Sequence, residues 1–210
     1  MIMKYLKWGA IYTFSFCLFF SSCSNDPHDQ IEDQNSVDFD NELLKTDDNY
    51  NPILKDKIFL ELVDAHLTLT NLPYDRVELE ILLAEDSENL QSYANAIGFE
   101  SQEDFSMFFN EYNNNLLYIE DKYKISEMAF NDLQGLILKT PQYSTVTYDD
   151  CDRERRNCVG SASTIYGLEA LGCSALNLTL VGGLVCYGLI TSQYLISVDD
   201  CTLQWERCKD

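Results

Sequence analysis

The last third of the chain, residues 151–208, reads CDRERRNCVGSASTIYGLEALGCSALNLTLVGGLVCYGLITSQYLISVDDCTLQWERC. Its six cysteines stand at positions 151, 158, 173, 186, 201 and 208, so they follow one another at intervals of 7, 15, 13, 15 and 7 residues. This spacing is a palindrome. In an α-helix, which turns about 100° per residue, each set of three cysteines falls within about 60° on one face. The pattern therefore predicts two antiparallel helices whose cysteine faces meet.

The same spacing selects a disulfide pairing. Neighbouring cysteines such as Cys151 and Cys158 are ~10.5 Å apart along a helix, which is beyond the Cα–Cα reach of a disulfide. Among the connectivities open to six cysteines, only the nested one fits two straight helices. It joins Cys151 to Cys208, Cys158 to Cys201, and Cys173 to Cys186. We expect the turn of this hairpin around Leu180-Val181-Gly182-Gly183, where the two glycines permit positive φ.

The arms of the hairpin are almost uncharged. Between Val159 and Val198 the only charged residue is Glu169. One interpretation is that these apolar arms pack against the rest of the protein, and the other is a membrane-active hairpin. The runs Gly172-Cys173-Ser174-Ala175 and Gly182-Gly183-Leu184-Val185-Cys186 resemble halocin-type Cys-rich bacteriocins over residues 151–208. That resemblance implies a secreted antimicrobial module with the upstream region as an immunity or carrier segment.

The segment from Asn51 to Pro141 predicts five short amphipathic helices. Each has a recognisable start, stop or apolar face. The first begins at Asn51-Pro52 and ends before Pro73. The second covers residues 74–84, the third runs from Ser87 to Gly98, the fourth opens at the capping box of Ser101 and Asp104, and the fifth runs from Ser126 to Thr140.

Few side chains in these helices suggest chemistry. His66 falls on the apolar face of the first helix with Ile58, Phe59, Leu62 and Val63, so we interpret it as a core histidine rather than a ligand or base. The carboxylate pairs Glu103/Asp104 and Glu120/Asp121 are interpreted as solvated helix faces. His28 is expected to be solvated in an acidic segment.

The N-terminus predicts an exported lipoprotein. Lys4 and Lys7 precede an apolar run over residues 11–20, which is too short to span a membrane. The following Phe20-Ser21-Ser22-Cys23 resembles the lipobox of bacterial lipoproteins. The resemblance implies that residues 1–22 are a signal peptide and that Cys23 carries the lipid. Ordinary secretion with cleavage near Ser22 is the alternative.

Residues 23–51 predict a disordered acidic tether. From Asp26 to Asp48 they hold nine acidic residues and one base, Lys45, with no apolar periodicity. An acidic stretch after the acylated cysteine also resembles the surface-export signal of Bacteroidota lipoproteins. The predicted organisation is then a signal peptide (1–22), a tether (23–51), a helical domain (52–141), a linker (142–149) and a disulfide-stapled hairpin (150–210). The fold class predicted is all-α, a small helical bundle plus this hairpin.

Composition excludes several functions. The chain has 210 residues, with 14 Lys and Arg against 35 Asp and Glu and a formal net charge of −21. This balance argues against nucleic-acid binding, which needs clustered basic residues. There is no EF-hand, glycine-rich phosphate loop or nucleophile elbow. A zinc site and a redox pair are alternatives for the cysteines, but the chain has no C-x2-C motif and export favours structural disulfides.

The sequence therefore predicts a protein that is not an enzyme and has no cofactor or metal. We expect a cell-envelope lipoprotein, in the outer membrane and surface-exposed, that acts as a binding or interaction module. Its expected partners are the membrane, through the lipid on Cys23, and another envelope or extracellular protein. The alternative is the bacteriocin-like or membrane-active module described above.

Overall fold

A computed structural model describes residues 51–143, 149–176 and 181–210. These residues confirm the all-α prediction, since they form seven α-helices, two short 3₁₀ helices and no strand. The α-helices are α1 (Lys57–Thr70), α2 (Arg76–Ala84), α3 (Leu90–Ile97), α4 (Gln102–Tyr123), α5 (Phe130–Lys139), α6 (Asp150–Ser174) and α7 (Val181–Lys209). The 3₁₀ helices are Pro52–Lys55 and Ile125–Glu127. The predicted signal peptide and nearly all of the predicted tether lie outside the described residues.

Capping side chains fix most helix starts. Asp75, Asn89 and Ser101 accept hydrogen bonds from backbone N–H groups in the first turns of α2, α3 and α4. Gly98 ends α3 with a φ of 100°, as its position predicts. The cap predicted at Ser87 is wrong. Asp86 has a φ of 51°, so the chain is still turning there, and the helix begins only after Asn89.

The fifth helix also starts later than predicted. Ser126 and Glu127 belong to a 3₁₀ turn that follows Lys124, whose φ is 54°. α5 then runs from Phe130 to Lys139, and Thr140 ends it as expected. Lys124 has a left-handed conformation and separates this turn from α4. The helix α5 therefore begins after the turn, at Phe130.

The nested hairpin is confirmed. Helices α6 and α7 are antiparallel and joined by disulfides Cys151–Cys208, Cys158–Cys201 and Cys173–Cys186, whose Cα–Cα distances are 5.8, 5.8 and 5.6 Å. The predicted turn is partly wrong, because α7 already includes Val181, Gly182 and Gly183. Leu180 lies outside the described residues.

The hairpin and the earlier helices share one hydrophobic core. The described residues form a single compact unit. The ring of Phe109 in α4 stacks on Tyr187 of α7 with centroids 5.0 Å apart, and both side chains are fully buried. No helix within the described segments is long and apolar enough to cross a membrane.

Charged groups at the open end of the hairpin make polar contacts with α2 and between its two arms. Arg76 of α2 donates to Asp199 at 2.5 Å and to Asp200 at 2.9 Å, both in α7. At the ends of the two arms, the Trp205 Nε1–H group donates to Asp152 at 2.8 Å, and Lys209 pairs with Asp149. The ends of α6 and α7 are thus held by polar contacts as well as by the outermost disulfide.

Candidate functional site, an acidic groove between two helices

Helices α1 and α4 lie side by side in opposite directions. Asp56, which caps the start of α1, accepts hydrogen bonds from Lys122 Nζ at 2.7 Å and Tyr123 Oη at 2.9 Å, at the end of α4. Farther along, His66 of α1 meets Tyr112 in the middle of α4. These two contacts fix the register of the pair.

A groove with a volume of about 230 Å³ lies between the two helices. On each helix, four of the lining residues are spaced so that the last three lie three, four and seven positions after the first, which places them on one continuous helical stripe. The lining residues are Glu61, Leu62, Asp64, Ala65 and Thr68 of α1, and Phe108, Glu111, Tyr112 and Asn115 of α4. The stripes are 61, 64, 65 and 68 on α1 and 108, 111, 112 and 115 on α4. The groove is thus formed by helix geometry rather than by a loop.

The rim of the groove is negative. Glu61, Asp64 and Glu111 line it, and no Lys, Arg or His is among its described lining residues. Lys57 Nζ lies 2.6 Å from Glu61 Oε1, but this i,i+4 pair is solvent-exposed and contributes little free energy. Asp64 and Glu111 are both exposed. The rim therefore favours a cationic ligand.

The floor of the groove is apolar and aromatic. Leu62 and Tyr112 are buried there, and Phe108 is half-buried on the α4 side. The hydroxyl of Tyr112 lies 2.9 Å from Nε2 of His66, so the floor continues directly into the protein core. Burial raises the pKa of Tyr112 well above its usual value.

His66 is a neutral core histidine, as its place on the apolar face predicts. Its ring packs against Tyr112, Tyr166 and Tyr194 with centroids 5.0 to 5.9 Å apart. Burial lowers the pKa of His66 to about 3. Its Nδ1 has no hydrogen-bond partner among the described residues. At neutral pH this imidazole is therefore uncharged and enclosed.

The groove floor is also connected to the stapled hairpin. Tyr194 of α7 donates a hydrogen bond to the backbone carbonyl of His66 at 3.3 Å, and its ring stacks on Tyr166 of α6 at 4.8 Å. Tyr187 donates to Asn113 Oδ1 at 3.1 Å, next to Tyr112 in the sequence. The disulfide-bonded helices thus support α1 and α4 from below the groove.

The other candidate residues from the sequence either make hydrogen bonds that stabilise the fold or lie outside the described residues. Cys23 and His28 lie outside the described residues. Asp104 belongs to the cap of α4, where Ser101 Oγ donates to its carboxylate at 2.6 Å. Glu120 accepts two hydrogen bonds from Ser126, at 2.9 and 2.6 Å. In the part of the chain that the structure describes, no group of three or more His, Cys, Asp and Glu is placed to hold a metal.

Sequence reasoning missed the groove. The two stripes are visible in the sequence, since each borders the apolar face of its own helix. Their meeting is not visible, because α2 and α3 separate α1 from α4 along the chain. Only the packing brings Asp64 and Glu111 to the same rim.

No protein-family model, curated protein or solved structure matches the chain.

Proposed function

We propose that this chain is an exported, lipid-anchored protein of the bacterial cell envelope that acts as a binding module. The observation that carries the proposal is the set of three nested disulfides in α6 and α7. Disulfides of this kind persist in oxidising compartments and are rare in the cytosol. Export also accounts for the apolar run over residues 11–20, which lies just before Cys23.

The binding role rests on the groove between α1 and α4. Its helices share a core with the hairpin, so the groove is built on regular secondary structure that the disulfides support. Grooves on such preorganised elements lose little entropy when a partner binds. The proposed partners are another envelope protein or an extracellular protein, reached from a lipid anchor in the outer membrane at the cell surface.

The lipid anchor is tested by Cys23→Ser expressed in the native cells. We expect the variant to leave the membrane fraction, because the thiol that takes the lipid is gone. Cys17→Ser is the matched control, since Cys17 lies within the apolar run and is removed with the signal peptide. Cys23→Ser that stays in the membrane fraction would contradict the anchor. Protease treatment of intact cells tests surface exposure.

The alternative, a membrane-active hairpin, is favoured by the single charge between Val159 and Val198. It requires Tyr187, Tyr194 and Leu195, which are buried in the shared core, to leave that core first. Their exposure would cost several kcal/mol of hydrophobic free energy, on the order of 1.5–3 kcal/mol per large side chain. A dye-leakage assay on liposomes with the oxidised protein separates the two functions, because a binding module releases no dye.

A further inference from the structure

We propose that the groove between α1 and α4 binds an arginine side chain of a basic partner protein. The proposal rests on the binding function above and names the chemistry of its partner. Three features of the groove support it: its charge, its size and its aromatic wall.

The charge of the groove selects a cation. Glu61, Asp64 and Glu111 are carboxylates on opposite walls, so a positive group between the helices meets negative charge from both sides. Lys57 pairs with Glu61 on the rim, but this pair is exposed, so a ligand displaces it at little cost. The net charge of −21 steers basic partners toward the protein.

The size of the groove selects one side chain. Its volume of about 230 Å³ is below the range of about 300–1,000 Å³ that is typical of small-molecule sites. Such a volume cannot enclose a whole metabolite or cofactor of drug-like size. A single long side chain does, and a docked protein surface supplies it with flanking contacts on the rim.

The aromatic wall favours arginine over lysine. Phe108 is half-buried beside Glu111, so part of its ring faces the groove. A guanidinium group stacks on an aromatic face while its fork of N–H donors reaches carboxylates, whereas an ammonium group offers only a compact charge. Arginine is also enriched among the residues that contribute most to protein–protein binding.

The charge also argues against a second copy of this chain as the occupant. Two chains that each carry −21 repel each other, and the three rim carboxylates add to that repulsion locally. A basic protein gains from the same field. The partner is therefore a different protein with an exposed arginine on a positive surface.

The test is an NMR titration of the lipidated, disulfide-bonded protein in detergent micelles. The probe is the tripeptide acetyl-Leu-Arg-Leu-amide, and its matched control carries Gln in place of Arg. We expect saturable shift changes at α1 and α4 amides with the Arg probe only. Asp64→Asn and Glu111→Gln should each weaken binding about two- to fivefold, as expected for exposed ion pairs, and Phe108→Leu should remove the preference for Arg over a Lys probe.

Glu206→Gln is the control variant, since it removes one exposed carboxylate on α7 that does not line the groove. Equal weakening by Glu206→Gln and Glu111→Gln would mean that net charge alone attracts the probe, and it would overturn the proposal. So would the absence of saturable shifts at the groove. The anchor test with Cys23→Ser is independent, so a failed titration leaves the lipoprotein proposal standing.

Two other occupants are distinguished by the same protein samples. Self-association that Glu111→Gln abolishes would assign the groove to a second copy. Lys45 is the one base between Asp26 and Asp48. If the probe binds only to the Lys45→Gln variant, the groove of the unaltered protein is occupied by the chain's own acidic segment. Either result would overturn the proposal.

Discussion

Nε2 of His66 lies 2.9 Å from the hydroxyl oxygen of Tyr112, and both side chains are buried. This contact joins the floor of the groove to Tyr166 and Tyr194 of the hairpin, whose rings also pack against His66. The imidazole of His66 stays neutral because burial removes it from water and so disfavours its charged form. Because this burial lowers the pKa of His66, the stability of the fold depends on pH.

The first prediction concerns this pH dependence. The pKa of His66 is about 3 in the folded protein and near 6.5 when exposed. Between these values the unfolded chain binds more protons, so the stabilisation is complete above pH 6.5 and is lost as pH falls toward 3. We expect the free energy of unfolding to drop by about 2 kcal/mol between pH 7 and pH 5. Urea unfolding at the two pH values measures it.

The control is His66→Gln, which keeps a hydrogen-bonding group near Tyr112 but does not titrate. Its unfolding free energy should be nearly constant from pH 7 to pH 5. The lowered pKa values of Asp149 and Asp152, which come chiefly from hydrogen bonds donated by Lys209 and Trp205, affect stability only at lower pH. An equal drop in His66→Gln would show that another group causes the effect.

The second prediction compares two helical glycines. A Cβ at Gly188 would lie 2.7 Å from Cγ and 2.9 Å from Cβ of Tyr93, close to the backbone of α3, so the helices must move apart. Gly188→Ala should destabilise the protein by about 1–3 kcal/mol. Gly167→Ala meets nothing within 4 Å in α6 and should stabilise it by about 0.5–1 kcal/mol. Thermal unfolding of both variants measures the difference, and a destabilised Gly167→Ala would contradict it.

The sequence predicted those features that depend on one helix or one covalent rule. The cysteine intervals give the hairpin because helix periodicity and disulfide reach leave one pairing, and Gly98 gives a helix end because it takes a left-handed conformation. Features set by packing were missed. The groove needs Asp64 and Glu111 on facing helices, and the start of α3 at Asn89 depends on a turn at Asp86 that no local pattern specified.

The third prediction is the order in which the disulfides are reduced. Cys208 is exposed and Cys151 is half-buried, whereas Cys173 and Cys201 are buried. Thiol–disulfide exchange requires access to the sulfur, so Cys151–Cys208 should be reduced first under native conditions. Brief treatment with dithiothreitol, alkylation and peptide mapping reveals the order.

The polar contacts at the open end supply a variant for this experiment. Trp205→Ala removes the hydrogen bond to Asp152 and the ring that Arg155 and Lys209 approach within 5.3 and 5.7 Å. It should speed reduction of Cys151–Cys208 and leave that of Cys173–Cys186 unchanged. If the innermost disulfide is reduced before the outermost one, solvent exposure of the cysteines does not determine the order of reduction.

The fourth prediction concerns Arg76, which connects α2 to the hairpin. Its guanidinium reaches Asp199 and Asp200 together, and about a third of the Arg76 and Asp199 side-chain surfaces is exposed. Arg76→Ala should therefore cost only about 1 kcal/mol, an effect that high salt reduces. Lys57→Ala is the control, because it removes an exposed i,i+4 pair within one helix and should change stability by less than about 0.5 kcal/mol. Urea unfolding at low and high salt tests both variants, and a salt-independent loss in Arg76→Ala would mean that packing of its aliphatic stem, rather than its charge, holds α2 against α7.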